Sequence, residues 1–372
     1  MRRIVVALAS LGLFLAGAVA GEEVVIGVMG PVTGAWASEG EDMVNVVNLM
    51  AEEINAAGGV NGRKIRIEVG DDAGDPRTAA LAAQRLVGSE AIAVVGTYGS
   101  SVCEAAQGIY DDEGVLQIAT GSTSIRLSEQ GYPLFFRTCP RDDEQGLVMA
   151  EKVAEMGHKR IAILHDNTSY AKGLADESRA NFEKDGLEIV FFDAVTPGDR
   201  DFTTTLVKVR TANPDIIVFT AYYPEAALIL RQKKDMKWAI PVIGGDATNN
   251  TMLVELAGAE AANGYYFISP PGPMDLTDPA AKKFLEKYRA QHDSVPSSVW
   301  SMMAGDAFGV MVEALKHIKE PTSAAMGEYL RHELENYPGF TGSISFDEKG
   351  DRIGDVYRLY QVNAEGEFVL IP

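Results

Sequence analysis

The sequence predicts an α/β protein of two lobes, each a doubly wound sheet of parallel strands. Short apolar segments alternate with amphipathic segments of helical length almost without interruption, and this order produces parallel sheets through right-handed crossovers. The alternation occurs in two successive runs, on either side of about residue 140. The chain has 372 residues, more than the roughly 250–300 residues at which a single core usually stops growing.

Residues 1–20 have the pattern of a secretory signal peptide. Arg2-Arg3 is a basic start, Ile4–Gly17 is a short apolar run, and Ala18–Ala20 is a small-x-small ending. The apolar run is short for a membrane-spanning helix, and no cysteine follows it to carry a lipid. We therefore expect cleavage before Gly21 and a soluble protein exported to the periplasm.

In the first run, local signals bound the elements. Gly58-Gly59 ends the first helix, Lys64–Val69 alternates with period two, and Pro76 opens the second helix at its first turn. The predicted strands are Val24–Val28, Lys64–Val69, Ala91–Val95 and Val115–Ala119. The predicted helices are Glu41–Ala57, Pro76–Val87 and Ser101–Asp112.

The second run repeats this alternation after Arg137. Its predicted strands are Arg160–Leu164, Leu187–Phe192, Asp215–Phe219 and Ile240–Ile243. Helices are predicted between them and at Glu144–Met156 and Ala171–Lys184. The last hundred residues contain three predicted helices and three strands: Pro279–Gln291, Met302–Lys319, Ser323–Glu335, Ile344–Phe346, Val356–Gln361 and Phe368–Ile371.

Composition and motifs exclude several classes of function. Hydrophobic residues make up 46% of the chain, enough for two cores, and the formal net charge of −20 argues against nucleic acid and anionic membranes as partners. The P-loop and G-x-S-x-G patterns are absent from the sequence, and its five histidines lack metal-ligand spacing. We predict no cofactor, no metal site and no enzymatic activity.

The two cysteines, Cys103 and Cys139, leave two alternatives open. In an exported protein they can form one disulfide that closes a loop of about 36 residues, worth roughly 3–4 kcal/mol. They can equally be two buried free thiols. Neither has a histidine nearby in the sequence to activate it as a nucleophile.

Polar loops follow the predicted strands, at the edge where open parallel sheets bind ligands. These loops are Gly96–Ser101, Thr120–Ser124, His165–Tyr170, Tyr222–Glu225 and Gly244–Asp246. The first two offer hydroxyl and N–H donors for an anion, whereas the others offer a carboxylate and phenols for a cation. A zwitterion such as an amino acid satisfies both halves.

Several segments resemble one known family over nearly the whole chain that follows the signal peptide. The densest is INAAGGVNGRKIRIEVGDDAGDP (Ile54–Pro76), and YDDEGVLQIATGST (Tyr110–Thr123) is almost as close. LFFRTCPRDDEQG, ILHDNTSYAKGLA and FDEKGDRIGDVY follow in the expected order. Together they resemble the type I periplasmic substrate-binding proteins of branched-chain amino acid ABC transporters.

The resemblance implies a protein that captures a branched-chain or other hydrophobic amino acid and delivers it, as a monomer, to an ABC permease. Its two lobes hinge shut over the ligand. The crossovers it implies are Thr138–Arg141, Ser269–Pro273 and Phe346–Lys349. The lobes it implies are an N-terminal lobe of residues 21–139 and 271–346, and a C-terminal lobe of residues 140–270 and 347–372.

The resemblance also implies roles for single residues. Ser100 and Thr123 hold the α-carboxylate of the ligand. The carbonyl of Gly121 receives the α-ammonium, and Asp246 balances its charge. The remaining implied ligand-binding residues are two tyrosines that close over the ligand and three neighbours on the same loops: Tyr170, Tyr222, Tyr98, Ser101 and Ser122.

The chain departs from the family pattern at three ligand-binding positions. Asp246 stands where glutamate is common, so its carboxylate reaches one methylene less. Trp36 and Glu39 stand where a small residue and a tyrosine are expected. Trp36 offers an apolar wall, whereas Glu39 is either a solvated loop residue or a group suited to a polar or basic ligand side chain.

Other functions remain open on this sequence. The same fold can serve as a ligand sensor, or bind an aromatic acid, urea or a short amide. An enzyme acting on an amino acid or amide is the main alternative from another class. A plain carboxylic acid would leave Asp246 uncompensated, and for this reason the zwitterion is favoured.

Overall fold

A computed structural model describes residues 23–354 and 356–371. The predicted signal peptide lies outside these residues. Two large sheets, each flanked by helices, organise the described chain, and a two-stranded hairpin accompanies them. This arrangement agrees with the predicted α/β class. Every helix in the described ranges is too short or too polar to span a bilayer.

The first sheet contains five parallel strands in the order β2-β1-β3-β4-β5. Its strands are β1 (Glu23–Gly30), β2 (Lys64–Asp71), β3 (Ala93–Val95), β4 (Leu116–Ala119) and β5 (Phe135–Arg137). The helices between them are α1 (Ala37–Ala56), α2 (Pro76–Gly88), α3 (Ser100–Asp112) and α4 (Arg126–Glu129). Sequence analysis did not predict α4 or β5, because both are too short to show a period.

The elements after β5 alternate up to the second crossover. The helices are α5 (Asp142–Glu155), α6 (Ser169–Lys184), α7 (Thr203–Thr211), α8 (Tyr223–Asp235), α9 (Met252–Ala257) and α10 (Ala259–Ala262). The strands are β6 (Arg160–His165), β7 (Glu188–Ala194), β8 (Ile216–Phe219), β9 (Val242–Gly244) and β10 (Tyr266–Ser269). A single 3-10 turn at Asp246–Thr248 follows β9.

The last part of the described chain packs helices against the first sheet and adds two strands to the second. Its helices are α11 (Pro279–His292), α12 (Val299–His317) and α13 (Ser323–His332), and its strands are β11 (Tyr337–Gly339), β12 (Gly342–Ile344), β13 (Arg358–Val362) and β14 (Phe368–Ile371). The second sheet has the order β14-β13-β10-β9-β8-β6-β7. Strands β13 and β14 are antiparallel to their neighbours, which adds an antiparallel edge to an otherwise parallel sheet.

The chain passes between the two sheets after β5, after β10 and after β12. Helix α12 packs against α1, β3 and β4, and α13 packs against β4, so both belong with the first sheet. We call the first sheet with its helices the first lobe, and the second sheet with its helices the second lobe. Arg137 and Arg141, at the first crossover, both form ion pairs with the buried Asp351 at the third, which ties these two connections together.

Both cysteines are free thiols in the structure, and the disulfide is not formed. Cys103 lies on α3, where the side-chain amide of Gln117 approaches its sulfur at 3.4 Å. Cys139 lies in the first crossover and donates its S–H to the carbonyl of Ser122 at 3.4 Å. Burial raises the pKa of the Cys103 thiol to about 12, so it is unreactive at neutral pH.

Candidate functional site

The carboxyl ends of strands from both sheets meet in a cleft between the lobes. The backbone N–H of Ser169, at the start of α6, donates to the hydroxyl of Ser101 on α3 at 2.9 Å. The hydroxyl of Ser169 also donates to Glu104 on α3 at 2.7 Å. These contacts join the lobes across the loops that follow β3 and β6, so the structure describes a closed cleft.

The first lobe presents a set of hydrogen-bond donors to this cleft. Ser100 is the first residue of α3 and is fully buried. Its oxygen accepts the N–H of Ser124 at 3.2 Å, so its own proton stays available to an acceptor. Thr123 is also fully buried, and its hydroxyl makes no hydrogen bond within the described chain. Hydroxyls at a helix N-terminus are suited to an anion.

The other predicted residues of these loops have partners inside the protein. The hydroxyl of Ser122 donates to the carbonyl of Thr97 at 2.9 Å, and that of Ser101 accepts the interlobe bond from Ser169. A Cβ atom on Gly121 would lie 2.8 Å from the ring of Tyr98, so glycine permits that ring to cover the loop. These side chains shape the first-lobe wall of the cleft.

The second lobe and the crossovers place acids opposite these donors. Asp246 is almost fully buried, and its carboxylate accepts a hydrogen bond from the hydroxyl of Tyr357 at 3.0 Å. Burial raises the pKa of Asp246 to about 6, although hydrogen bonds from Tyr170 and Tyr357 oppose this shift. The hydroxyl of Tyr170 also accepts the N–H of Ala247 at 3.3 Å.

Sequence analysis missed a second acid of the site, Asp142, and its neighbour Gln145. Both lie on the first turns of α5 and are fully buried. Within the described chain, the carboxylate oxygens of Asp142 and the amide atoms of Gln145 make no hydrogen bond of ordinary geometry. The hydroxyl of Thr123 is nevertheless close enough to lower the pKa of Asp142, and the amide of Gln145 is close enough to lower that of Asp246. Burial, and after it the charge of Asp246, raise the pKa of Asp142 well above its usual value.

These unpartnered groups are the main chemical feature of the site. Buried polar atoms in native proteins nearly always have partners, yet Thr123, Asp142 and Gln145 together contribute five atoms without a hydrogen bond of ordinary geometry in the described chain. Asp246 interacts electrostatically with Asp142 and lies beside Gln145. The site therefore offers a hydroxyl donor for an anion, and the carboxyl groups of Asp142 and Asp246 for a cation, within one buried cluster.

Aromatic rings from both lobes close the cleft beside this cluster. The ring centroids of Trp36 and Tyr222 are 4.2 Å apart, those of Tyr98 and Tyr222 5.8 Å, and those of Tyr170 and Tyr222 5.3 Å. Added Cβ atoms at Gly74 and Gly99 would meet the Trp36 ring at 2.7 and 3.0 Å. The glycines thus form the slot that holds Trp36 against Tyr222.

Glu39 is fully buried, so the interpretation of it as a solvated loop residue is wrong. Helix α1 begins at Ala37, one turn earlier than predicted, and carries Glu39 into the interior. Its carboxylate accepts hydrogen bonds from the amide of Asn250, at 2.7 Å, and from the hydroxyl of Ser298. Burial raises the pKa of Glu39 to about 8. The bond to Asn250 is a further link between the lobes.

Comparison with known proteins gives a consistent result. Residues 23–367 match the family described as periplasmic binding protein. The chain is 33% identical to the leucine-, isoleucine-, valine-, threonine- and alanine-binding protein of Pseudomonas aeruginosa, over 97% of this chain and 95% of the relative. It is 31% identical to the Leu/Ile/Val/Thr-binding protein of Salmonella typhimurium, over 93% of each.

Solved structures with the same fold extend this result. A leucine-binding protein from Thermotoga maritima has a TM-score of 0.87 at 28% identity, covering 94% of this chain and 98% of that chain. A branched-chain amino acid transporter substrate-binding protein from Streptococcus pneumoniae, in complex with isoleucine, has a TM-score of 0.85 at 29% identity, covering 94% and 99%. The predicted fold class and the predicted family resemblance are confirmed.

Proposed function

The chain belongs to the periplasmic binding protein family, and from this premise we propose that it captures an amino acid between its lobes for an ABC transporter. Its relatives include proteins named for leucine, isoleucine and valine binding, so we take a branched-chain or other hydrophobic amino acid as the ligand. The protein then delivers this ligand to a membrane permease.

The buried cluster of unpartnered groups carries this proposal. The α-carboxylate of the ligand accepts hydrogen bonds from Ser100 and Thr123, and the carbonyl of Gly121 and the carboxylate of Asp246 receive the α-ammonium. Charge-assisted hydrogen bonds in a closed, dry cleft are the strong kind. Asp142 adds a second negative group on the ammonium side, next to Asp246.

Closure retains the ligand through rings that come from both lobes. Tyr222, on the second lobe, contacts the rings of Trp36 and Tyr98 on the first lobe. Tyr170, also on the second lobe, packs against Tyr222. We assign the protein no catalytic step, a periplasmic location after loss of the signal peptide, and a monomeric state. An aromatic acid, urea or an amide is the alternative ligand, and a sensor role is the alternative use of closure.

Calorimetry on ligand-free protein, prepared by unfolding, dialysis and refolding, tests the proposal. L-leucine, L-isoleucine and L-valine should bind with one site per chain, whereas benzoate and urea should not. Asp246→Asn should weaken leucine binding by about 2–5 kcal/mol, because truncating one partner of a buried charge pair leaves the ammonium unpaired. The exposed Asp235→Asn is the matched control and should bind leucine normally. Benzoate binding that survives Asp246→Asn would instead favour the aromatic-acid alternative.

A further inference from the structure

A cavity between the lobes is bordered by the aromatic rings of Trp36 and Tyr222. We call it the outer chamber. It has a volume of about 550 Å³ and lies between the lobes. Residues of both lobes line it, among them Trp36, Gly74, Ser101, Asp166, Tyr222 and Glu225. Trp36 and Tyr222 thus border both the outer chamber and the buried amino acid site.

Two carboxylates face the outer chamber without a cationic partner. Asp166 is 3% exposed and Glu225 is 8% exposed. One oxygen of Asp166 accepts the N–H of Thr168 at 2.9 Å, and one oxygen of Glu225 accepts the N–H of Gly198 at 3.0 Å. Burial raises the pKa of both groups, and the charge of Asp166 adds to the shift at Glu225. Among the described residues, no lysine, arginine or histidine pairs with either of these two acids.

The aromatic wall adds a second preference for positive charge. The faces of Trp36 and Tyr222 attract an ammonium or guanidinium group through their quadrupoles. Tyr222 also lies close enough to Asp166 for that charge to influence its hydroxyl. A cation in the outer chamber would therefore have two carboxylates and two aromatic rings within its surroundings.

The whole cleft has more negative groups than a neutral amino acid can balance. Glu39, Asp142 and Asp246 lie in its interior, and Asp166 and Glu225 line the outer chamber. The groups assigned to the α-carboxylate are uncharged hydroxyls and N–H groups. Burial favours the neutral form of Glu39 and Asp142, so the imbalance of charge comes from Asp246 and the two acids of the outer chamber. A zwitterion brings one ammonium for these three carboxylates, and a second positive charge on the ligand would reduce the imbalance.

We propose that the outer chamber receives an ammonium or guanidinium group at the end of the ligand side chain, so that the ligands include amino acids with basic side chains. This inference rests on the proposed function, because the α-amino and α-carboxyl groups stay in the buried site. The rings of Trp36 on the first lobe and Tyr222 on the second are in contact in this closed structure, with centroids 4.2 Å apart. The inference therefore requires these two rings to separate when a ligand with a long side chain is bound.

Calorimetry with L-arginine, L-citrulline and L-leucine tests this inference on refolded, ligand-free protein. Citrulline has nearly the shape of arginine but carries no side-chain charge. Arginine should bind at least about tenfold more tightly than citrulline, and the difference should shrink in high salt because the chamber is open to solvent. Equal affinities for the two ligands would overturn the inference.

Isosteric variants assign the effect to the chamber. Glu225→Gln and Asp166→Asn keep an oxygen for the N–H groups of Gly198 and Thr168, so the local hydrogen bonds persist. Each should reduce the preference for arginine over citrulline to about threefold or less, with leucine affinity unchanged. The exposed Glu255→Gln is the matched control and should keep the full preference. A parallel loss of leucine and arginine binding would contradict the inference.

Two further outcomes separate the possible failures. Agmatine has the guanidinium but no α-carboxylate, so it should bind far more weakly than arginine. Agmatine binding as tight as arginine binding would make the chamber an independent cation site and contradict its role as an extension of the amino acid site. Leucine binding without arginine binding removes only this inference, whereas absence of binding by every amino acid removes the proposed function as well.

Discussion

The substitution Asp142→Asn should stabilise the ligand-free protein and weaken the binding of its ligand. Asp142 is fully buried, neither of its oxygens has a hydrogen bond of ordinary geometry in the described chain, and it lies near a second acid, Asp246. Burial penalises the charged form of Asp142, and each unit by which the folded pKa exceeds the unfolded one corresponds to about 1.4 kcal/mol. Asparagine remains polar but keeps the shape and cannot ionise, so we expect the free energy of unfolding at pH 7 to rise by about 1 kcal/mol or more.

The same substitution removes one of the two carboxylates that we propose to face the ligand ammonium. Truncating one partner of a buried charge pair costs about 2–5 kcal/mol, which is a loss of about thirtyfold or more in affinity. The pH dependence gives a second signature. Because the pKa of Asp142 is raised in the folded protein, the unfolded chain releases this proton first, and stability falls as the pH rises above about 4. Asp142→Asn should flatten this fall.

Urea unfolding of refolded, ligand-free protein at pH 5 and pH 7 measures the stability, and calorimetry with L-leucine measures the affinity. Asp143→Asn is the matched control, since Asp143 is the next residue, is 41% exposed and forms an ion pair with Arg141. Asp143→Asn should change the free energy of unfolding by less than about 1 kcal/mol. If Asp142→Asn lowers stability and leaves the affinity unchanged, Asp142 is a structural group of α5 and the reasoning is wrong.

Three other predictions concern protonation, the donor side of the site and the thiols. Because burial raises the pKa of Asp246 to about 6 and the ammonium requires its charged form, calorimetry should show leucine affinity falling about tenfold from pH 7 to pH 5; constant affinity over this interval would contradict the assignment. Ser100→Ala should weaken leucine binding by about 1.5–3 kcal/mol, as expected for a hydrogen bond to a charged group. The native hydroxyl of Ser122 donates to the carbonyl of Thr97, so Ser122→Ala should instead lower the free energy of unfolding by about 1 kcal/mol. If Ser122→Ala weakens leucine binding and Ser100→Ala only lowers stability, the assignment of the two serines is wrong. Both cysteine thiols are buried and free, so neither should react with a thiol reagent until the protein is unfolded, and a reductant should leave the melting temperature unchanged.

Much of the fold could be predicted because its signals are local. The alternation of apolar strands with amphipathic helices predicted most elements of both lobes to within a few residues. The short elements α4, β5, α9, α10, β10 and β11 were missed, because three to six residues carry too little periodicity to be distinguished from a loop. The antiparallel pairing of β13 and β14 depends on where the third crossover returns the chain, and no local pattern encodes that return.

Sequence analysis named the residues proposed to bind the ligand carboxylate, but it missed Asp142 among those proposed to bind the ammonium. The rule that ligands lie beyond the carboxyl ends of parallel strands predicted the loops, and the family resemblance implied the roles of Ser100, Thr123 and Asp246 within them. All three residues are buried, and their roles stay predictions. Asp142 was missed because acids at the start of a helix are ordinarily solvated caps or partners of the helix dipole. The segment RDDEQG around it was in the sequence, yet the predicted helix began two residues later.

The order of strands, helices and polar loops was determined by the sequence itself, since residue periodicity and turn residues act over a few positions of the chain. Tertiary structure decided which acidic side chains are buried away from solvent. Asp142 is buried where the first crossover enters the second lobe, and Glu39 is buried where Asn250 and Ser298 reach it from distant parts of the chain. Burial and the resulting pKa shifts arise only when both lobes pack together, because each lobe supplies part of the surroundings that exclude solvent.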